Sequence, residues 1–415
     1  MKVFLIQCLA LLGAAVLLPG ASVQELISAA PSAFLSDANR LQAARQRLDN
    51  GDKDLAPALA ELEREAKAAL TAGPFSVMHK TLPPPGGDKH DYMSQAPYFW
   101  PNPATSNGLP YIRRDGERNP DAYGNSDRLA IGELADKVET LALACYFKRD
   151  ETYAARAALL LRVWFLDPAT RMNPNFQFAQ AILGVNTGRG TGLIESRAFV
   201  RVVDAVGLLA GSKAWTEADQ RGLQAWFTKF LQWMLESEHG RDEAAAKNNH
   251  GTYYDVQVAS FALFLGQPEL AVNILQAARQ KRIAVQIEPD GRQLLELVRT
   301  KSWGYSVGNL SGLMSLATLG ERVGVDLWHY ETADGRSIGK ALDYLAPFAL
   351  GERKWPHQQL GGVSKEGLFP LLRQAAEKLP EKKNQAWLST IPALETTNRV
   401  NLLSPKIAAP RAARK

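Results

Sequence analysis

Three groups of residues carry the side chains needed for acid–base chemistry on an anion. The densest is Lys247-Asn248-Asn249-His250-Gly251-Thr252-Tyr253-Tyr254-Asp255. Amides, an imidazole and phenols packed so closely can neutralise an anion and move a proton. Helix capping would also account for Asn, His and Thr at this place. The second group is Glu296-Leu297-Val298-Arg299-Thr300-Lys301-Ser302-Trp303-Gly304-Tyr305. Arg299 pairs well with carboxylates. Tyr305 follows it by six residues, off the same helical face unless the chain breaks, as Gly304 permits. The third group runs from Asp88-Lys89-His90-Asp91-Tyr92-Met93-Ser94 to Pro97-Tyr98-Phe99-Trp100-Pro101. Aromatic faces beside polar groups suit a sugar ring, and equally suit a loop packed on a core.

Helices must hold these groups. Leu55, Leu59, Leu62, Ala66 and Leu70 recur at helical spacing. Ser126-Asp127 is placed to cap a helix running through Leu129 to Cys145. Further helices are expected at Tyr153–Phe165, Glu195–Leu209, from Thr216 through Met234, and at Tyr254–Leu265. Glu269–Val285, Val307–Val323 and Ile338–Leu350 continue the series. Period-two alternation is scarce, and Ile283–Gln286 reads as helix rather than strand. Two segments break the rhythm: residues 73–125, rich in Pro, Gly and aromatics, and residues 167–192, with a Gly-rich end read as a turn. No repeat of fixed period is visible, so many amphipathic helices imply a helical toroid or solenoid.

Residues 1–22 have a basic Lys2, an apolar Val3–Leu18 and small residues at Pro19-Gly20-Ala21-Ser22. That is the pattern of a cleaved secretory signal, too short for a membrane span. The mature chain then keeps Cys145 alone, without an internal disulfide, which suits a bacterial periplasm or secretion. The chain has 415 residues, 46% of them hydrophobic, a formal charge of +5 and a pI of about 9.0. These values exclude a disordered or disulfide-scaffold protein. Charges of both signs are mixed, except in a basic tail over 401–415, so a nucleic-acid partner is not expected. There is no phosphate-binding GxxxxGK[ST] loop and no HExxH. The spacings of His79, His90, His239 and His250 match no zinc motif.

Taken together, the runs 248–255, 89–100 and 296–305 resemble the conserved segments of the alginate lyase superfamily. The three are in the same order and at matching distances, and they span most of the mature chain. The Arg299-to-Tyr305 spacing is closer to the broader polyuronate lyases than to the periplasmic enzymes of alginate production, where it is one residue longer. The resemblance implies an all-α, incomplete (α/α) toroid forming one catalytic domain over 23–400. It implies β-elimination on a 1,4-linked polyuronate, with mannuronate-containing alginate favoured and glucuronan as the alternative. Asn249 and Arg299 would neutralise the uronate carboxylate. Tyr305 and His250 would act as acid and base. Lys89, His90, Tyr92, Tyr254 and Trp303 would contact substrate. No metal or cofactor is implied. The partner would be an anionic polysaccharide, with no membrane contact after signal cleavage. Two other readings stay open: a glycoside hydrolase using carboxylates such as Glu195, Asp255 and Glu296, and a protein that binds polyanion without cleaving it.

Overall fold

The computed structural model describes residues 33–379, 386–387 and 396–405. The signal-like residues 1–22 and the tail beyond 405 lie outside them. Helices α1 (Ala38–Asp49), α2 (Ala56–Ala69), α3 (Arg128–Lys148), α4 (Glu151–Leu161) and α5 (Ala198–Leu208) open the described chain. Then come α6 (Glu217–Glu236), α7 (Glu238–Ala245), α8 (Asn249–Phe264) and α9 (Pro268–Ala278). Finally α10 (Ser302–Arg322), α11 (Ile338–Ala349), α12 (Phe369–Lys378) and α13 (Val400–Leu403) complete the series.

Helix α3 packs on α5, α5 on α8 and α8 on α10, so these four form an inner wall. Helices α4, α6 and α9 back that wall from outside. The inner helices are apolar nearly all round, as burial on two sides requires. In α8, for example, Val256, Val258, Ala259, Phe261 and Ala262 are all buried. An aromatic cluster of Phe165, Phe199, Trp226, Phe227 and Phe230 fills the space between α5 and α6. The arc is an incomplete helical toroid. Its two ends are clasped: α13 packs on α1 and α2, and Arg40 of α1 bonds Glu377 of α12 and Ser404.

Local chemistry explains most helix starts. Thr216 and Asp219 form a reciprocal capping box on α6. Asp150, Asn248 and Ser337 cap α4, α8 and α11 through their side chains. Asp127, expected as a cap, does something else. Its carboxylate accepts from Met93 N at 2.9 Å and pairs with Lys80 Nζ at 3.0 Å in the interior. The tail expected from residue 401 is docked through Leu403, because Leu402 is buried.

The irregular segments carry four short strands: β1 (Met93–Gln95), β2 (Phe99–Trp100), β3 (Ile112–Arg113) and β4 (Phe178–Ala181). Strand β1 runs parallel to β4, and β2 pairs antiparallel with β3. The Gly-rich end lies close against β4. A Cβ at Gly188 would sit 2.0 Å from Gln177 O, and one at Gly192 2.5 Å from Ala179 Cβ. Glycine is required there for backbone approach, not for holding phosphate. Among the described residues no helix is long and apolar enough to cross a membrane.

Candidate active site

The concave side of the arc holds a groove of about 1420 Å³. Nine Arg and Lys side chains line it against one carboxylate, Glu195. All four residues expected to do chemistry, Asn249, His250, Arg299 and Tyr305, line it too.

Asn249 and His250 sit on the first turn of α8. Their placement is fixed from behind by buried charge. Glu296 accepts from Asn249 N at 2.7 Å and from its Nδ2 at 3.0 and 2.8 Å. Because the partner is a carboxylate, the amide nitrogen must face it, which settles the orientation of the amide. Burial raises the Glu296 pKa, and the bonds from Asn249 oppose that rise. Glu243 of α7, 1% exposed, lies 2.7 Å from His250 Nδ1. That contact ties the imidazole by Nδ1 and leaves Nε2 as the nitrogen able to meet a substrate.

The chain entering α8 is anchored by Arg282, in a π-helical turn at Arg279–Ile283. Arg282 donates to Ala246 O at 2.6 Å, to Ala244 O at 2.8 Å and to Asp255 at 2.7 and 3.0 Å. Gly251 makes room for it: a Cβ there would lie 2.2 Å from Arg282 Nη1 and 2.0 Å from Ala246 O.

Arg299 and Tyr305 face the groove from the α10 side. The chain breaks between them at Lys301, which pairs with Gln359 rather than continuing a helix. That break brings residues six apart together. Arg299 Nη2 donates to Tyr305 Oη at 2.9 Å, and the guanidinium lies 4.0 Å from the Tyr305 ring centroid. Tyr305 Oη in turn donates to Tyr98 Oη at 3.0 Å. Burial, and next the Tyr98 contact, push the Tyr305 phenol well above its usual pKa, outweighing Arg299. Asp115 clasps Arg299 through Nη2 at 2.7 Å and Nε at 3.2 Å. Among the described residues nothing bonds Arg299 Nη1, which remains for a ligand.

The other five expected site residues lie outside the groove lining. Lys89 lends its backbone oxygen to Lys80 Nζ at 2.7 Å, and His90 Nδ1 contacts Arg171 O at 2.6 Å. Tyr92 is fully buried, stacked on Phe176, with its hydroxyl donating to Glu195 at 2.7 Å. Tyr254 points into the core and donates to Met234 O at 2.9 Å. Trp303 is 2% exposed and donates to Ser364 O at 2.6 Å. These residues brace the groove from behind.

Sequence reasoning missed Asp115 and Glu243 and read Tyr98 only as a sugar-stacking aromatic. Glu243 is only seven residues before His250, but it belongs to a separate helix across an extended break at Ala246–Asn248, so helical spacing does not link the two. Asp115 had no signal, since its partners are 184 and 185 residues away. The hydrolase carboxylates are all engaged. Asp255 pairs with Arg282 in the interior, Glu296 braces Asn249, and Glu195 accepts from Tyr92 and Ser94 and pairs with Arg128.

The alginate lyase family model matches residues 76–355. An alginate lyase structure from Bacteroides ovatus is 39% identical, with a TM-score of 0.87, covering 90% of this chain and 99% of that one. Alginate lyase A1-III from Sphingomonas species A1 superposes with a TM-score of 0.57 at 16% identity, over 93% of this chain and 99% of its own. A histidine-to-alanine variant of A1-III complexed with tetrasaccharide gives 0.58 at 16% identity, over 94% and 99%. At that identity the A1-III likeness speaks for the toroid alone. A comparison with curated proteins finds no match. The family match over most of the chain and the close structural relative agree: this protein belongs to the alginate lyase family and is a polysaccharide lyase.

Proposed function

We propose that the protein cleaves 1,4-linked polyuronate, alginate foremost, by β-elimination, with His250 as base and Tyr305 as acid. The observation that carries this reading is that two separately held proton-handling groups line one basic groove. On α8, Glu243 holds His250 by Nδ1 at 2.7 Å, which leaves Nε2 to act as the base. On α10, Tyr305 is held as a phenol beside Arg299. The surrounding cations favour a polyanion.

Elimination removes the C5 proton of a uronate and expels the C4 oxygen. The carboxylate must take up charge as an enolate-like species forms. Arg299 Nη1 meets that charge directly, and Asn249 adds an amide N–H. Losing one such donor in a water-excluded site costs on the order of a hundredfold in rate. Tyr305 then protonates the leaving oxygen.

A base and an acid supplied by two different residues suit a uronate whose C5 hydrogen and C4 oxygen lie on opposite faces, as in guluronate. Mannuronate and glucuronate place both on one face. Tyr305 would there act as base and acid in turn, after losing its proton. That second reading draws support from the 2.9 Å Arg299 contact, which stabilises a phenolate. The raised phenol pKa supports the first route. The signal-like pattern at residues 1–22 supports a site of action in the periplasm or outside the cell, and N-terminal sequencing of the mature protein checks it.

The test is far-ultraviolet absorbance over time on polyguluronate, polymannuronate and glucuronan, without added metal and then with chelator. A conjugated unsaturated product supports elimination and names the sugar. New reducing ends without absorbance would establish hydrolysis instead. Binding without either would leave a non-catalytic protein.

A further inference from the structure

Asp115 stands on the groove rim just after β3, in the long irregular segment between α2 and α3, and reaches across to the α10 side. Its carboxylate accepts from Arg299 Nη2 at 2.7 Å, and Nε lies 3.2 Å from each of its oxygens. It accepts from Thr300 N at 3.1 Å and Thr300 Oγ1 at 3.0 Å, and from Arg113 Nη2 at 2.7 Å. The backbone joins in, since Asp115 O accepts from Thr300 Oγ1 at 2.9 Å. The next residue, Gly116, has φ +78°, and a Cβ there would lie 2.3 Å from Thr300 Oγ1. The segment is pressed against Thr300 in a conformation few side chains would tolerate.

This pattern exceeds what is needed to pin a loop. A loop is pinned by the two Thr300 bonds and the close approach at Gly116. The Arg299 bonds act on a group that the groove needs. They occupy the Nε–Nη2 edge of the guanidinium and leave Nη1 for ligand. They also fix Nη2, the nitrogen that donates to Tyr305 Oη. One carboxylate thereby sets the orientation of both the charge that meets a uronate and the phenol beside it.

We propose that Asp115 is a positioning residue for the elimination, holding Arg299 so that Nη1 meets the uronate carboxylate while Nη2 holds the Tyr305 phenol in place. The inference rests on the functional reading above. Its electrostatics follow from the same geometry. Burial alone would raise the Asp115 pKa, but Arg299, Thr300 and Arg113 outweigh it and hold the carboxyl well below the usual range. Asp115 is therefore charged wherever the protein is folded and active. Its charge offsets that of Arg299 and adds to the burial and the Tyr98 contact that raise the pKa of the nearby phenol.

The test compares wild type, Asp115→Asn, Asp115→Ala and Asp115→Glu on the polyuronate that wild type cleaves best, with thermal melts alongside. The expected result is a fall in kcat of roughly 10–100-fold in the Asn and Ala variants, with KM unchanged or lower, because Arg299 is freed but misaligned. Removing the negative charge lowers the Tyr305 pKa, so the alkaline limb of the kcat–pH profile moves to lower pH. Asp115→Glu should recover more activity than Asp115→Asn, since charge holds the guanidinium. A loss confined to KM, an unmoved alkaline limb, or kcat within twofold of wild type would overturn the inference. If Asp115→Ala fails to fold, the nearly isosteric Asn variant still decides. Wild type that yields no unsaturated product on any polyuronate would sink the functional reading and this inference with it. Normal wild-type turnover matched by Asp115→Asn would sink this inference alone.

Discussion

The α8 and α10 sides of the groove, though carried by neighbouring helices, are built from different material. The wall carrying Asn249 and His250 is backed by the core. Its supports, Glu243, Glu296 and the Arg282–Asp255 pair, are all buried and sit on or beside helices. The wall carrying Arg299 and Tyr305 is completed by Asp115 and Tyr98, both from the irregular stretch between α2 and α3, and both only partly buried. One wall is thus set by folding itself. The other is set by a loop laid across the groove. A proton acceptor needs a fixed tautomer, which a buried carboxylate supplies. The charge clamp and proton donor must admit a polymer between them, and a loop is the part that can give way.

The sharpest way to break this contrast is at Tyr305. Tyr305→Phe should lower kcat by roughly 10²–10⁴-fold while polymer binding and helical CD stay intact, because only a proton donor is lost. Near-normal turnover would remove the acid from the scheme. Next comes the core-built wall. Arg282→Met strands Asp255 in the interior and should cost about 3–5 kcal/mol of stability, read as a clear fall in Tm. An unchanged melt would mean that this wall is not held as described. Glu243→Gln should leave Tm nearly unchanged and reduce kcat by roughly a hundredfold, since the amide can hold His250 in the wrong tautomer. Equal activity would show that the imidazole needs no partner. The smallest effect is expected on the loop-built wall. Tyr98→Phe removes one neutral hydrogen bond to Tyr305, worth about 0.5–1.5 kcal/mol, or a few-fold in rate. A loss as large as that of Tyr305→Phe would make Tyr98 a proton carrier in its own right.

The same contrast explains what the sequence disclosed. Helices with local causes were legible: the capping pair Thr216–Asp219, the amphipathic run from Ala56 and the apolar α8 all declare themselves within a few residues. The catalytic candidates were legible because short motifs carry them. The substrate-contact candidates Lys89, His90, Tyr92, Tyr254 and Trp303 were chosen by residue type within those motifs, and type cannot tell a lining side chain from a bracing one. Tyr254, next to Tyr253 on α8, shows the difficulty. A single residue step rotates the side chain by about 100°, and Tyr253 lines the groove while Tyr254 enters the core. Asp127 misled for a related reason. Its capping position was right, but Lys80, 47 residues earlier, took its carboxylate. Asp115 was invisible because nothing local requires an acid there.

The clasp that joins the ends of the arc also sets a clock on the making of this protein. Arg40 bonds Ser404, 364 residues further along the chain. At synthesis rates of about 5–20 residues per second, the first partner waits roughly 20–70 s for the second. Throughout that interval α1 and α2 lack the surface that α13 covers, and the arc stays open at its seam.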